Sequence, residues 1–305
     1  MKDILLEKSN SYNFYKKEYE KLLEENKTLK GQLKECKSKS DEKVDLINKR
    51  YESKINRLNK KVDNLSKKIN SNERHNERIH NELKYAFVFN DTIKESEWLI
   101  DKKFSLVNSA ANYSFAYTLY RILDEAQPKN ILELGLGQTS RITSQYANFF
   151  KDVKLSIVES DSVWIEKFSK NLEITDNINV YHSELELFDF EDEENLRFKD
   201  ISKIVGDDKF DLIIIDGPQG FIPTPEGDVF TPYPRSNIWN LIPDNLASDF
   251  IIIMDDYNRR GEKRTMHHVE ELLSEENIEF YNYSSVGLKE QYVLCSEKYV
   301  YVTWF

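Results

Sequence analysis

Apolar residues in the first quarter of the chain recur mostly at steps of three and four positions, the spacing of one face of a long helix. They run from Leu22 to Leu83 and keep a single register over the second half of that span. This seam predicts a coiled coil, and a helix over residues 12–84 would be on the order of 110 Å long at 1.5 Å per residue. Because so polar a helix gains little by staying alone, the segment is expected to self-associate as a homodimer or trimer, with Asn72 and Asn76 buried and fixing its register.

From about residue 108 the pattern changes to short aliphatic runs separated by amphipathic stretches. Alternation of helices with wholly apolar strands is typical of a parallel sheet that is covered on both faces. We therefore predict an α/β fold with a Rossmann-like doubly wound sheet, mostly parallel with antiparallel C-terminal strands, preceded by a long N-terminal coiled-coil helix. The strands are predicted at 130–134, 154–158, 179–182, 210–215, 250–254, 279–283, 291–295 and 299–305, and the helices at 139–150, 162–172, 236–241 and 264–274.

Charge and composition change at the same place as the pattern. The chain of 305 residues has a net charge of −11, but residues 1–85 alone carry +7 and residues 86–305 carry −18. All seven prolines follow residue 127. This step predicts a coiled-coil oligomerisation segment at 1–85, a linker or entry helix at 86–107 and a folded domain at 108–305.

The basic surface of the first segment has two interpretations. It is either the solvated outer face of an oligomer or a surface that contacts anionic lipid headgroups or a polyanionic glycan at the membrane periphery. Nucleic acid is not an expected partner, because the acidic second part would repel phosphate. The aliphatic runs are too short to span a membrane, the first residues lack the apolar core of a signal peptide, and two cysteines are too few for a disulfide framework. These features predict a cytoplasmic protein.

Small and acidic residues follow several of the predicted strands, at the carboxyl ends where open α/β sheets bind their ligands. The first strand runs into Glu133-Leu134-Gly135-Leu136-Gly137-Gln138-Thr139-Ser140, whose glycines would let the backbone approach a ligand at the start of a helix. The second ends in Glu159-Ser160, placed to accept hydrogen bonds from a ribose diol. The fourth ends in Asp216-Gly217-Pro218 and the fifth in Asp255-Asp256. Each alone is compatible with a tight turn or a surface carboxylate, but their order and spacing predict a nucleotide site.

With these motifs, residues 108–305 resemble the class I S-adenosylmethionine-dependent methyltransferases. The glycine loop resembles the family's first motif, although Thr139 stands where many members have a third glycine. The resemblance implies S-adenosylmethionine as the cofactor, with Glu159 on the ribose hydroxyls, Ser183 or Glu184 near the adenine and Ser114 over the methionyl end. The cofactor-binding residues that it implies are Ser114, Glu133, Gly135, Gly137, Thr139, Ser140, Glu159, Ser160, Ser183, Glu184 and Asp216.

Two subgroups of sugar O-methyltransferases compete within this resemblance. Asp216, Asp255 and Asp256 are similar to the three aspartates that hold Mg²⁺ in the macrocin-type enzymes. In contrast, the run from Asp216 to Gly220 followed by Pro234-Arg235 is similar to the glucuronoxylan-type polysaccharide methyltransferases. Pro218 stands where the macrocin-type pattern has its proposed base, so that base is not carried over.

The candidate chemistry lies at the same strand ends. A divalent metal such as Mg²⁺ on the three aspartates would lower the pKa of an acceptor hydroxyl and orient it; alternatively, the aspartates cap the next helix or pair with arginines. The proline-braced loop 221–236 is a candidate acceptor platform, and Trp164 is expected in a helix core. The candidate catalytic residues are Asp216, Asp255 and His267, and the candidate substrate-binding residues are Tyr233, Arg235 and Arg259.

The function predicted from these observations is S-adenosylmethionine-dependent O-methyl transfer to a hydroxyl of a sugar or glycan, assisted by a divalent metal, as in polysaccharide synthesis. Two alternatives stay open: an NAD-dependent dehydrogenase of Rossmann type, and a non-catalytic scaffold whose function is the coiled coil. The loop has the form GxGxT rather than the dinucleotide form GxGxxG. The methyltransferase hypothesis requires Asp216 and Asp255 to lie together and the backbone at Gly135 to be open to a ligand.

Overall fold

The structure is a computed structural model that describes residues 2–36, 41–106, 111–170 and 172–304. The chain divides into two compact units, residues 1–79 and residues 80–305. In the described ranges, no helix combines the length and the apolar character needed to cross a bilayer. The α-helices are α1 (Lys2–Cys36), α2 (Asp41–Thr92), α3 (Tyr113–Arg121), α4 (Ser140–Phe149), α5 (Ser162–Ser169), α6 (Ile201–Val205) and α7 (Arg260–Glu275).

In the first unit, α1 pairs with the N-terminal part of α2 in an antiparallel arrangement. The Tyr12 hydroxyl donates to Glu73 at 2.7 Å, and Asn26 Nδ2 donates to Asn59 Oδ1 at 2.6 Å. The later residue of α1 thus contacts the earlier residue of α2, which shows that the two helices run antiparallel. Between the helices lies a small apolar cluster, which consists of the buried residues Leu29, Ile55 and Leu58 with Leu22 and Tyr51 packed against them.

This pairing corrects two expectations for the N-terminal segment. The segment is a pair of helices rather than one rod, because part of the apolar seam is buried against the same chain. The buried asparagine is Asn26, whereas Asn72 and Asn76 are only half-buried. Self-association of residues 1–85 stays a prediction.

The second unit is built on a seven-stranded sheet with the order β10-β11-β9-β6-β1-β2-β3. The strands in chain order are β1 (Asn130–Leu134), β2 (Lys154–Glu159), β3 (Ile178–His182), β4 (Leu185–Phe190), β5 (Glu193–Phe198), β6 (Phe210–Ile215), β7 (Phe221–Thr224), β8 (Gly227–Phe230), β9 (Leu246–Met254), β10 (Tyr281–Val286) and β11 (Glu290–Cys295). Neighbouring strands run parallel except where β11 pairs with β9 and with β10. The predicted fold is therefore confirmed: a mostly parallel sheet with an antiparallel C-terminal end.

Both faces of the sheet are buried, as the wholly apolar strands require. Successive residues of one strand alternate between two cores: Ile131 packs in one cluster and Leu132 in the other, and Ile214 and Ile213 divide in the same way on β6. Because helices cover both cores, the open edge of the sheet at the carboxyl ends of β1, β6 and β9 is where a ligand finds room.

Several elements differ from the predicted ones. The expected strand at 299–305 is a 3₁₀ helix, Glu297–Trp304, and the expected helix at 236–241 is also a 3₁₀ helix, Ser236–Leu241. The pattern missed α3, α6 and two hairpins, β4–β5 and β7–β8, that lie outside the main sheet. Apart from three buried residues of β5, the hairpin strands are half-buried or exposed, so they lack the apolar runs by which the sheet strands were predicted.

Candidate functional site

A cavity of about 870 Å³ opens at the carboxyl ends of the central strands. Chain order reverses across β1, since β2 lies on one side of it and β6 on the other, which is the switch point where doubly wound sheets bind ligands. The wall combines the glycine loop after β1, the ends of β6 and β9 and the start of α7. The residues that line the cavity include Leu136, Gly137, Gln138, Trp164, Asp216, Phe221, Phe230, Arg235, Asp256, Arg259 and Glu262.

Gly135 lies against the chain itself and not against the cavity. Its φ is +103°, and a Cβ added there would come within 2.8 Å of the Gly217 backbone nitrogen. Gly135 therefore lets the ends of β1 and β6 approach each other, and the expectation that its backbone is open to a ligand is corrected. The requirement that the methyltransferase hypothesis placed on Gly135 is therefore not met. The open position lies two residues further on, because a Cβ on Gly137 would meet nothing within 4 Å, and the hypothesis depends on Gly137 instead.

Glu133 shapes the loop from inside the protein. It is fully buried, and its carboxylate accepts hydrogen bonds from the hydroxyls of Thr139 at 2.5 Å, Ser140 at 2.8 Å and Thr143 at 2.6 Å. Burial raises the pKa of Glu133 to about 7, although the three hydroxyls pull it down. Glu133, Thr139 and Ser140 were predicted to bind the cofactor; their side chains instead bind one another, and their effect on a ligand is through the shape of the loop.

Replacing Glu133 by Gln is expected to flatten the dependence of folding stability on pH. The pKa of this carboxyl is higher in the folded protein than its ordinary value of 4.5. Its contribution to stability is therefore fully present below pH 4.5 and is lost as the pH rises through about 7. A rise of this size corresponds to about 3 kcal/mol. Urea denaturation over this pH range measures the effect.

Glu173→Gln is the matched control, because Glu173 is exposed and should leave the pH dependence as it is. Burial and the neighbouring Asp255 also raise the pKa of Asp216 to about 7, so a residual slope is expected in Glu133→Gln. A slope equal to that of the unmodified protein would contradict the assignment.

Glu159, at the end of β2, contacts the backbone of the glycine loop, although it is not among the described residues that line the cavity. One carboxylate oxygen accepts from the Leu136 N–H at 3.0 Å, and the other accepts from the N–H groups of Ser160 at 2.6 Å and Asp161 at 3.0 Å. Trp164 adds a contact that was not predicted. Its ring nitrogen donates to the Leu136 carbonyl at 2.7 Å, and its side chain lines the cavity instead of a helix core.

Three other predicted cofactor contacts lie elsewhere. Ser183 is buried and donates to the Lys199 carbonyl at 2.6 Å, while Glu184 is exposed and faces the Lys199 ammonium at 3.8 Å. Ser114 is fully buried and donates to Gln291 Oε1 at 2.7 Å. Among the described residues that line the cavity, none of these three is found. Their hydroxyls and carboxylate serve the packing around the site.

Asp216, Asp255 and Asp256 converge as expected. One carboxylate oxygen of each lies within 4.8 Å of the others, and the two sequential aspartates are almost fully buried. The convergence follows from the fold, since β6 and β9 are parallel neighbours and end at the same edge.

Arg235 lies in the middle of this cluster. Its Nη2 is 2.9 Å from Asp256 Oδ2 and 3.5 Å from Asp216 Oδ1, and its Nη1 donates to the Asp255 carbonyl at 2.8 Å. Arg235 was predicted to hold the substrate, but its buried guanidinium already holds the aspartates. Both Arg235 (φ 61°) and Asp256 (φ 60°) are in the left-handed region, a strained conformation that is characteristic of functional sites.

Lys289 and Gln291 complete the cluster from the C-terminal strands. Lys289 Nζ lies 2.8 Å from Asp255 Oδ2 and 3.4 Å from Asp256 Oδ1, and Gln291 Nε2 donates to Asp255 Oδ1 at 2.7 Å. Sequence reasoning missed both, because no local motif marks a residue that reaches the site across an antiparallel strand pair. Burial opposes the charge of Lys289, but Asp255 and Asp216 outweigh burial and raise its pKa.

The metal hypothesis can be tested on this geometry. Three carboxylates at this spacing are a donor set that suits a hard divalent ion. However, the charge that such an ion would neutralise is already matched by Arg235, Lys289 and Arg259, whose Nη1 is 3.1 Å from Asp256. Although burial alone would raise the pKa of Asp256, these cations hold it below its usual value. As they stand, the residues do not fit a divalent ion.

The remaining predicted residues divide between the cavity and the surface. Arg259 lines the cavity and pairs with Asp256 and Glu262. His267 was a candidate base, but it is exposed on α7 with its ring nitrogens 3.7 and 3.5 Å from the carboxylates of Glu270 and Glu271. His267 is therefore corrected to a surface residue.

Tyr233 was predicted to contact the substrate, but it is buried beneath the cavity wall. The Arg264 guanidinium lies 4.0 Å from its ring centroid, and its backbone N–H donates to Asn195 Oδ1 at 2.8 Å. Besides Trp164, the aromatic side chains that line the cavity among the described residues are Phe221 and Phe230 on the β7–β8 hairpin, and Phe230 is largely exposed. The loop 221–236 therefore contributes the aromatic rings of Phe221 and Phe230 to the cavity, but not that of Tyr233.

No protein-family model matches the chain, and no curated protein sequence matches it. Among solved structures, the chain is similar to the O-methyltransferase TomG from Streptomyces achromogenes in complex with SAM, with 15% identity over 67% of this chain and 91% of that one and a TM-score of 0.42. It is similar to an O-methyltransferase from Bacillus cereus in complex with SAH, with 15% identity over 71% and 91% and a TM-score of 0.38. A spermidine synthase matches with 14% identity over 58% of each chain and a TM-score of 0.36. Likeness at this level assigns no activity to the chain.

Proposed function

We propose that this chain transfers a methyl group from S-adenosylmethionine to an oxygen nucleophile. The observation that carries the proposal is the arrangement of the cavity. The cavity wall contains the open Cα position of Gly137 next to Leu136, whose N–H donates to the Glu159 carboxylate, and it also contains Asp216 and Asp256 of the carboxylate cluster. Glu159 suits a ribose diol, and carboxylates suit the ammonium and sulfonium charges of the donor.

The hydrogen bonds of the loop favour this donor over a dinucleotide. A diphosphate binds to free N–H groups at the start of a helix. Here Leu136 N–H is bonded to Glu159, and Gly137 N–H donates to Ser140 Oγ at 3.0 Å. Further along, at the start of α4, the Arg141 N–H donates to the Gln138 carbonyl and the Ile142 N–H to the Thr139 carbonyl. With these donors occupied and Asp216 close by, the site disfavours the diphosphate of NAD.

The reaction is an in-line displacement in which the protein aligns the two reactants. The acceptor oxygen forms a bond to the methyl carbon as the carbon–sulfur bond breaks. The electron pair of the broken carbon–sulfur bond stays on sulfur. The acceptor proton goes to Asp216, whose side chain lines the cavity and whose pKa, raised by burial and by Asp255, is about 7. A base with its pKa near the working pH combines sufficient ionised fraction with sufficient basicity.

The acceptor that we propose is a hydroxyl of a sugar or glycan. Phe221 and Phe230 line the cavity and pack edge to face, with ring centroids 6.3 Å apart, so together they offer an aromatic surface for the apolar side of a sugar ring. Arg259 is half-exposed at the same cavity and supplies a hydrogen-bond donor for acceptor oxygens. Transfer of labelled methyl groups to a panel of sugars, with catechols as the comparison set, tests this choice.

Calorimetric titration with S-adenosylhomocysteine tests the proposed function directly. Saturable binding at one site per chain is expected, with no competition from NADH. Binding of NADH without binding of S-adenosylhomocysteine would overturn the proposal in favour of a dehydrogenase.

Replacing Glu159 by Ala is expected to weaken S-adenosylhomocysteine binding at least about tenfold, because the ribose loses a charged acceptor worth about 1.5–3 kcal/mol. The same titration measures the loss. Glu166→Ala is the control, because Glu166 is exposed on α5 and paired with Lys170. Unchanged affinity in a folded Glu159→Ala protein would refute the placement of the ribose beside β2.

A further inference from the structure

Lys289 occupies the position in the cluster that a metal ion would need. It lies in the turn between β10 and β11, with only 13% of its side chain exposed, and its ammonium is within 3.4 Å of both Asp255 and Asp256. An ammonium is a compact point charge with three donors, so one group can contact two carboxylates at once.

Both carboxylate oxygens of two of the three aspartates are already engaged. Asp255 places one oxygen on Lys289 and the other on Gln291. Asp256 places one oxygen on Lys289 and the other on Arg235 and Arg259. A Mg²⁺ ion binds oxygen ligands at about 2.1 Å and would have to displace these donors.

The turn that carries Lys289 is itself fixed. The Gly287 N–H donates to the Lys289 carbonyl at 2.9 Å, and the Leu288 N–H donates to Glu82 Oε2 at 3.0 Å. Glu82 is buried and also accepts from the Tyr113 N–H at 2.6 Å. These hydrogen bonds hold the backbone of the turn, and the turn thereby positions the Lys289 ammonium.

We propose that Lys289 is the built-in counter-ion of the Asp216–Asp255–Asp256 cluster, so that this site works without a divalent metal. Lys289 is a positioning residue: with Arg235 it sets the charge and the orientation of the carboxylates that face the donor and acceptor. The role in methyl transfer rests on the proposed function, whereas the exclusion of a metal rests on the ion pairs alone. Removal of the ammonium should convert the cluster into a divalent-cation site.

Titration of the full chain with Mn²⁺, followed by calorimetry and by electron paramagnetic resonance, tests the proposal. The unmodified protein is expected to bind no Mn²⁺ at the cluster up to the highest concentration titrated, and Lys289→Met to bind it with a Kd at least tenfold below that concentration. Lys289→Arg keeps the charge and should behave as the unmodified protein. Lys298→Met is the matched control, because Lys298 is exposed and paired with Asp249 away from the cluster.

Two results would overturn the proposal. One is Mn²⁺ binding by the unmodified protein that Asp255→Asn removes. The other is a folded Lys289→Met protein that gains no affinity. If Lys289→Met does not fold, the thermal midpoint of the unmodified protein decides: Mn²⁺ and a chelator should both leave it unchanged, and a shift would overturn the proposal. These measurements use neither methyl donor nor acceptor, so failure of the proposed function would appear only in the S-adenosylhomocysteine titration.

Discussion

Replacement of Arg235 by Met is expected to lower the free energy of unfolding by about 3–5 kcal/mol, the usual cost of breaking a buried ion pair from one side. The guanidinium and the Asp256 carboxylate are each only 5% exposed, so solvent screens their interaction little. Without Arg235, Asp256 would remain buried beside Asp255, and the partly buried Asp216 would also have less positive charge near it. Urea denaturation of both proteins measures the loss.

Arg197→Met is the control for this prediction. Arg197 pairs with Glu186 at 2.8 Å on the β4–β5 hairpin, where both side chains are about one-third exposed. Loss of such a pair is expected to cost at most about 1 kcal/mol. Equal losses in the two variants would mean that the buried cluster does not depend on Arg235.

Gly135→Ala is expected to cost about 2–5 kcal/mol and to abolish S-adenosylhomocysteine binding. The new Cβ would meet the backbone of Gly217 at 2.8 Å and that of Asp216 at 3.0 Å, and backbone cannot rotate away as a side chain can. Overpacking of this kind costs about 1–3 kcal/mol, and the positive φ adds a further conformational cost. The ends of β1 and β6 would have to separate, which moves Asp216 away from the loop.

Two other glycines separate these causes. Gly206 has a φ of +55° but open space around it, so Gly206→Ala measures the conformational cost alone. Gly137 has open space and no positive φ, so Gly137→Ala should keep the stability of the protein and reduce only ligand binding. Full stability of Gly135→Ala by urea denaturation would mean that the close approach of the two strands is not required.

The sheet could be predicted from sequence because its buried strands consist almost entirely of apolar residues. Ile213, Ile214 and Ile215 face both cores in turn, and such a run has few alternatives to a buried parallel strand. Convergence of Asp216 with Asp255 then follows from adjacent parallel strands. The hairpin β7–β8 was not predictable in this way, because its residues bury little apolar surface and follow from tertiary contacts.

The charges that complete the site were beyond sequence reasoning. Lys289 lies 33 positions after Asp256 and reaches it only because β11 returns antiparallel beside β9. Likewise, Gly135 reads as a ligand-binding glycine within its motif, but its partner is Gly217, which is remote in sequence. Local motifs predicted which strand ends form the candidate site. Contacts between segments distant in sequence determine which polar atoms of that site can contact a ligand.

The position of Glu82 bears on how the protein can be divided. This carboxylate lies on α2 within the stretch whose composition suggested a separate oligomerisation segment, yet it contacts Asn112, Tyr113 and Leu288 in the sheet-bearing unit. A chain trimmed at residue 85 would lack the acceptor that holds the Leu288 N–H. The C-terminal part of α2 therefore belongs with the sheet, and excision of the N-terminal region should stop before residue 80.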